Sequence, residues 1–162
     1  MKTVALLLAL ASPLAAQEVF THELVTMTLP AGWVVQPKPD NAEAEYVAAL
    51  QGANKAGNAV ITAANYGDIK ETMARGTAMV QAALPGAIAE GDVKELKADN
   101  GDRILLQGFT ATMQYGGKDV PLGAVLAVTV NGKRGVIAQV YFAPQFANRV
   151  GKEFGQLVRS FK

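Results

Sequence analysis

The sequence predicts an α+β domain: an antiparallel sheet with two helices packed on one face, forming a two-layer sandwich. Three observations predict it. Alternating apolar and polar segments of strand length are joined by tight turns, most clearly at Gly116-Gly117 and Asn131-Gly132. Apolar residues recur at helical spacing in two long stretches, 68–84 and 145–161. The strands between those stretches form a meander, so the helices are segregated from an antiparallel sheet rather than alternating with parallel strands.

The elements come in order along the chain. Residues 20–29 (FTHELVTMTL) alternate, with Val25, Met27 and Leu29 on one side, and read as one half-buried strand. Pro30-Ala31-Gly32 turns the chain, and Trp33-Val34-Val35 begins a short second strand. Pro37 and Pro39 make the next stretch a loop. Residues 44–50 (AEYVAAL) fit strand or helix, with strand favoured, and 59–65 (AVITAAN) read as strand after a loop at 52–58. The first helix opens on Asp68 with Glu71 three positions later, a capping-box pair, and ends at Pro85-Gly86. Its apolar face is Ile69, Met73, Val80 and Leu84. Strands are expected at 87–96, 102–114, 121–131 and 135–143. The last helix presents Phe146, Val150, Phe154, Leu157, Val158 and Phe161 as one stripe, with Arg149, Lys152 and Arg159 outside it.

Residues 1–16 read as a secretory signal peptide. Lys2 supplies the positive start, Val4–Leu10 is wholly apolar, and Leu14-Ala15-Ala16 offers small residues for a cut after Ala16 or Ala15. The apolar run is shorter than the roughly 20 residues needed to cross a bilayer. Residues 17–162 then form a single domain of 162 − 16 = 146 residues, placed in the periplasm or secreted. Lys2 leaves with the signal, so 14 Lys and Arg face 14 Asp and Glu. A neutral domain has no global electrostatic pull towards nucleic acid or anionic membrane.

Composition also bounds the chemistry. The absence of cysteine excludes thiol catalysis and thiolate metal sites, and the single histidine, His22, argues against imidazole-based zinc sites. His22 with Glu18 and Glu23 is the one candidate cluster for a divalent cation; the plainer reading is an exposed strand histidine. Ser160 is the only serine after residue 16, and no Gly-x-Ser-x-Gly elbow exists. Glu43 with Glu45, Asp99 with Asp102, and Glu90, Asp92 and Glu95 are the acidic groupings a carboxylate-based hydrolase would draw on; all read more simply as solvated faces and turns. No catalytic, cofactor-binding or metal-binding residue is therefore assigned.

The strand leading into Leu29-Pro30-Ala31-Gly32-Trp33, the helix after Tyr66-Gly67-Asp68, the hairpin meander and the ending Leu157-Val158-Arg159-Ser160-Phe161-Lys162 together resemble the PsbP-like family of exported α+β proteins. The resemblance implies the fold, and an accessory or binding role rather than catalysis. The expectation is a non-enzymatic protein of the cell envelope, without cofactor, that contacts a protein partner. The alternative is a small-ligand or metal binder using the open sheet face or the His22 region. The candidate partner surface is Trp33, Pro37, Lys38, Pro39 and Asp40, because this proline-rich loop comes directly after the only tryptophan and has no evident structural duty. The 52–58 loop is its companion. Trp33 itself reads as core in preference to an exposed anchor.

Overall fold

The computed structural model of the chain describes residues 17–162, so the expected signal segment lies outside the described residues. Residues 20–29 do not make one strand. β1 (Val19–Thr21) and β2 (Thr26–Thr28) instead pair antiparallel with each other. The corner between them is closed by His22 N–H donating to the Val25 carbonyl at 2.9 Å and Leu24 N–H donating to His22 Nδ1 at 3.2 Å. A side-chain acceptor at the corner gives the backbone an alternative to a continuous ladder. The expected inward set survives, with Val25, Met27 and Leu29 all buried.

The remaining strands form one sheet. They are β3 (Val34–Val35), β4 (Tyr46–Gln51), β5 (Gly57–Ala64), β6 (Ile88–Lys97), β7 (Arg103–Tyr115), β8 (Lys118–Asn131) and β9 (Arg134–Phe142). Their order is β3-β4-β5-β9-β8-β7-β6, antiparallel throughout. The segment 44–50 is thus strand, as favoured. Helix α1 (Ile69–Ala83) connects β5 to the far edge strand β6, and α2 (Ala147–Arg159) comes after β9 through a short 3-10 turn at Pro144–Phe146. The capping box forms as expected: Asp68 accepts from Lys70 and Glu71 N–H at 2.7 and 2.9 Å, and Glu71 accepts from Asp68 N–H at 2.9 Å.

The class is α+β, but the two helices lie on opposite faces of the sheet, not on one. β9 shows this directly. Its Ile137 joins Leu126, Val128, Phe109, Val80 and Leu84 in the core beneath α1. Its Val136, Ala138, Val140 and Phe142 join Ile61, Val150, Phe154 and Leu157 in the core beneath α2. Consecutive strand residues point to opposite faces, so the two cores are separated by the sheet and the molecule has three layers. Ala124, Leu126 and Val128 of β8 belong to the core beneath α1, whereas Val136, Ala138, Val140 and Phe142 of β9 belong to the core beneath α2. The predicted single layer came from counting one apolar face per strand; β9 has two.

The helices are also staggered across the sheet. α1 packs on β8 and β9, with Phe109 of β7 in its core. α2 covers β4, β5 and β9 on the other face and clamps the β1–β2 hairpin beneath it. Thr26 exchanges both backbone hydrogen bonds with Lys162 at 3.0 Å, and Ser160 Oγ accepts from Thr28 N–H at 2.8 Å. Val150, Phe154, Leu157 and Val158 of α2 are fully buried, and each such side chain stabilises the fold by about 1.5–3 kcal/mol. The close seating of α1 explains Gly76 inside it. A methyl group there would come within 2.6 Å of Leu126 Cδ1 and 3.3 Å of Ile137 Cγ2.

Candidate functional site

The loop after Trp33 is held at both ends. At its start Trp33 is only 2% exposed, and its Nε1 donates to Glu153 Oε2 on α2 at 2.7 Å. Glu153 in turn accepts from Arg149 Nε at 3.0 Å. The indole lies against Gly52, where a methyl would sit 3.4 Å from Cε2, so the 52–58 loop is drawn to the same place. Trp33 is therefore core, as favoured, and it supports the loop from below instead of lying on the candidate partner surface. Pro37, Lys38, Pro39 and Asp40 are all exposed, as is Lys55 in the neighbouring 3-10 turn.

At the loop's other end Glu45 is the fastening. Tyr66 Oη donates to Glu45 Oε2 at 2.9 Å, and Arg75 of α1 approaches the same oxygen at 3.6 Å. Burial, with the Glu45 carboxylate adding to it, pushes the Tyr66 hydroxyl up to about 12, against the smaller opposing effects of the Thr62 hydroxyl and Arg75. Between the fastenings, Ala42 N–H donates to Pro39 C=O and Tyr46 N–H to Glu43 C=O, each at 3.0 Å. Val34 and Val35 of the edge strand β3, which lead into this loop, are 50% and 37% exposed.

The other candidate chemistry disperses. His22 spends its Nδ1 on the hairpin corner, which makes Nε2 the protonated nitrogen of the neutral ring. Among the described residues, no group of three or more His, Asp or Glu side chains is placed to hold a metal ion. Ser160 Oγ donates to Leu157 C=O at 2.6 Å while accepting from Thr28, so its hydroxyl docks the hairpin. Of the acidic groupings, Glu43 is exposed while Glu45 is the fastening above, Asp102 accepts from the side chains of Asn100 and Asn131, and Glu95 pairs with Arg103 at 2.8 Å. Every Asp and Glu of the described residues is half-buried or exposed.

The open sheet face survives only in part. On the face that α2 covers, one end of β6, β7 and β8 is left open, forming a groove of about 600 Å³ lined by Ile88, Gly108, Thr110, Pro121, Gly123 and Phe142. Beside it the β7–β8 ribbon runs past the end of β9, and Tyr115 at its tip is 81% exposed. The available signal was the length of β7 and β8 against the shorter β9.

No family model and no curated protein matches the chain. Solved structures do. Cyanobacterial PsbP (CyanoP) from Synechocystis sp. PCC 6803 matches with a TM-score of 0.65 at 14% identity, over 94% of this chain and 95% of that one. The Saccharomyces cerevisiae Ran-binding protein Mog1p matches with a TM-score of 0.60 at 10% identity, over 90% of this chain and 94% of that one. LpqN of Mycobacterium tuberculosis, involved in cell envelope biogenesis, matches with a TM-score of 0.54 at 11% identity, over 85% of this chain and 82% of that one. At such identities the likeness speaks for the backbone arrangement, and it agrees with the residues that first suggested it: the chain has a PsbP-like fold.

Proposed function

We propose that this chain is an exported, non-enzymatic accessory protein of the cell envelope that holds a protein partner on the Pro37–Asp40 loop and the adjoining β3 valines. The observation that carries the proposal is the two-ended fastening of an exposed loop. Trp33–Glu153 ties its start to α2 and Glu45–Tyr66–Arg75 ties its end to α1. A loop with two prolines and both ends fixed has little conformational freedom left to lose on binding, which favours affinity. Val34 and Val35 add apolar area beside Lys38 and Asp40, whose charges have no ion-pair partner among the described residues. The envelope setting is supported by the signal-like residues 1–16 and by the involvement of LpqN in envelope biogenesis; the protein-binding role is supported by Mog1p, a Ran-binding protein. Among the described residues no helix is long and apolar enough to cross a membrane.

Site-specific photocrosslinking in cells tests this. A crosslinker at Lys38 should capture one discrete protein species, and one at Lys118 on the far hairpin should not. Capture at Thr112, in the open groove, with none at Lys38 would move the partner to the other face and end the loop proposal. A processed N-terminus at Gln17 or Ala16 in the envelope fraction tests the export part separately.

A further inference from the structure

A second cavity, independent of the loop surface, lies where five distant segments meet. It has a volume of about 630 Å³, within the range of small-molecule sites. Its floor is apolar: Val25 from the hairpin corner, Val136 from β9 and Phe161 after α2 are all buried. Its mouth carries three cations, Lys133 and Arg134 from the β8–β9 turn and Lys162, all exposed. None of the three makes an ion pair among the described residues. Arg134 is held in place by donating to the Leu24 carbonyl at 3.1 Å, which bridges the turn to the hairpin. The one acidic side chain in the mouth is Asp102, and it is occupied by the side-chain amides of Asn100 at 2.9 Å and Asn131 at 3.2 Å. The three cations outnumber Asp102, the one carboxylate side chain of the lining, so the mouth is net positive over an apolar floor, in a domain whose 14 Lys and Arg after residue 16 only equal its 14 Asp and Glu.

We infer that this cavity binds an amphiphilic anion: a single carboxylate or phosphate headgroup at the Lys133–Arg134–Lys162 mouth, with an apolar body on Val25, Val136 and Phe161. A purely ionic ligand would leave the floor uncovered, and a purely apolar one would leave the cations unmatched. The same chemistry is presented by a free organic acid and by an anionic lipid in a bilayer.

Decanoate is the probe for the free form, followed by amide chemical shifts of the purified protein. Saturable shifts at Leu24, Val136 and Phe161 are expected. Acetate, which lacks the tail, and decyltrimethylammonium, which reverses the head, should produce none. Lys133→Glu should weaken decanoate binding by up to about 25-fold, since each exposed charge contact accounts for up to about fivefold and reversal acts twice. Lys133 lies exposed in a turn, so the melting temperature should not move. Phosphatidylglycerol vesicles form the second arm. Lys133-dependent co-flotation without a decanoate response assigns the ligand to a membrane lipid, and the reverse assigns it to a free acid. The inference fails if neither arm responds, if acetate shifts the same amides as decanoate, if the shifts map to Gly108 and Gly123, or if Lys133→Glu changes nothing.

Discussion

The indole Nε1 of Trp33 donates to Glu153 Oε2 at 2.7 Å across 120 residues of sequence. Among the described residues it is the one hydrogen bond from a buried aromatic side chain to a charged side chain of α2. Trp33→Phe keeps most of the ring but leaves Glu153 with Arg149 alone. A hydrogen bond to a charged group contributes about 1.5–3 kcal/mol, and partial solvent access at Glu153 puts the expected loss at the low end, about 1–2 kcal/mol. Urea unfolding of Trp33→Phe, Glu153→Gln and the double variant checks it. Additive losses would mean that the pair does not interact.

Gly76→Ala sets helix propensity against space. Alanine favours a helix by about 1 kcal/mol over glycine, yet the added methyl meets Leu126 Cδ1 at 2.6 Å in a fully buried site. Overpacking typically costs about 1–3 kcal/mol, so a net destabilisation of about 1 kcal/mol is expected. In a Leu126→Ala background the methyl has room, and Gly76→Ala should become stabilising. The sign change in thermal unfolding is the readout.

Two tyrosines make the fold sensitive to alkali. Tyr66 and Tyr141 are both raised from 10.0 to about 12, chiefly by burial. The unfolded chain loses these protons first, so the neutral hydroxyls' contribution is complete below pH 10.0 and is lost as pH rises towards about 12. Tyr66→Phe and Tyr141→Phe should each flatten the fall in melting temperature over that window. Glu45→Gln should lower the tyrosinate titration of Tyr66, because the adjacent carboxylate helps to raise it.

Acid acts through the α1 cap. The Asp68 carboxyl is held below its ordinary 3.8, first by the Glu71 N–H and then by the Lys70 N–H. Its contribution is present above 3.8 and is lost as pH falls through the lower folded value. Asp68→Asn retains an N-cap oxygen without the charge. It should therefore lose less melting temperature on acidification than the parent does. Equal losses would show that the cap does not titrate this way.

Much of this molecule was legible in its sequence, and the failures share one cause. The capping box at Asp68 and Glu71, the α2 stripe and the three-strand meander rest on neighbours in sequence, and they stand where local pattern put them. The layer count went astray because Ile137 and Val136 are adjacent in sequence and serve different cores. The 20–29 segment went astray because a side-chain acceptor on His22 turned an alternating run into a hairpin. The proline loop was legible as a loop, but its fastening by Glu153 and Glu45 depends on side chains from α2 and α1 that no spacing relates to it. The cationic cavity was invisible for the same reason: Val25, Lys133 and Phe161 meet only after the chain has folded.

The two-sided burial of β9 carries a further consequence, for strand alignment. In a strand with one wet face, a slip by one residue exposes its apolar set and is rejected at once. A one-residue slip of β9 would exchange Val136, Ala138 and Val140 for Ile137, Gln139 and Tyr141, so the polar groups of Gln139 and Tyr141, forced into the α2 core, are one check against it. Gly135 supplies a second check. It faces Tyr66 and Thr72, where even a methyl would come within 2.9 Å. A slipped strand would bring Arg134 or Val136 against that wall, so an absent side chain, too, helps to keep the central strand in step.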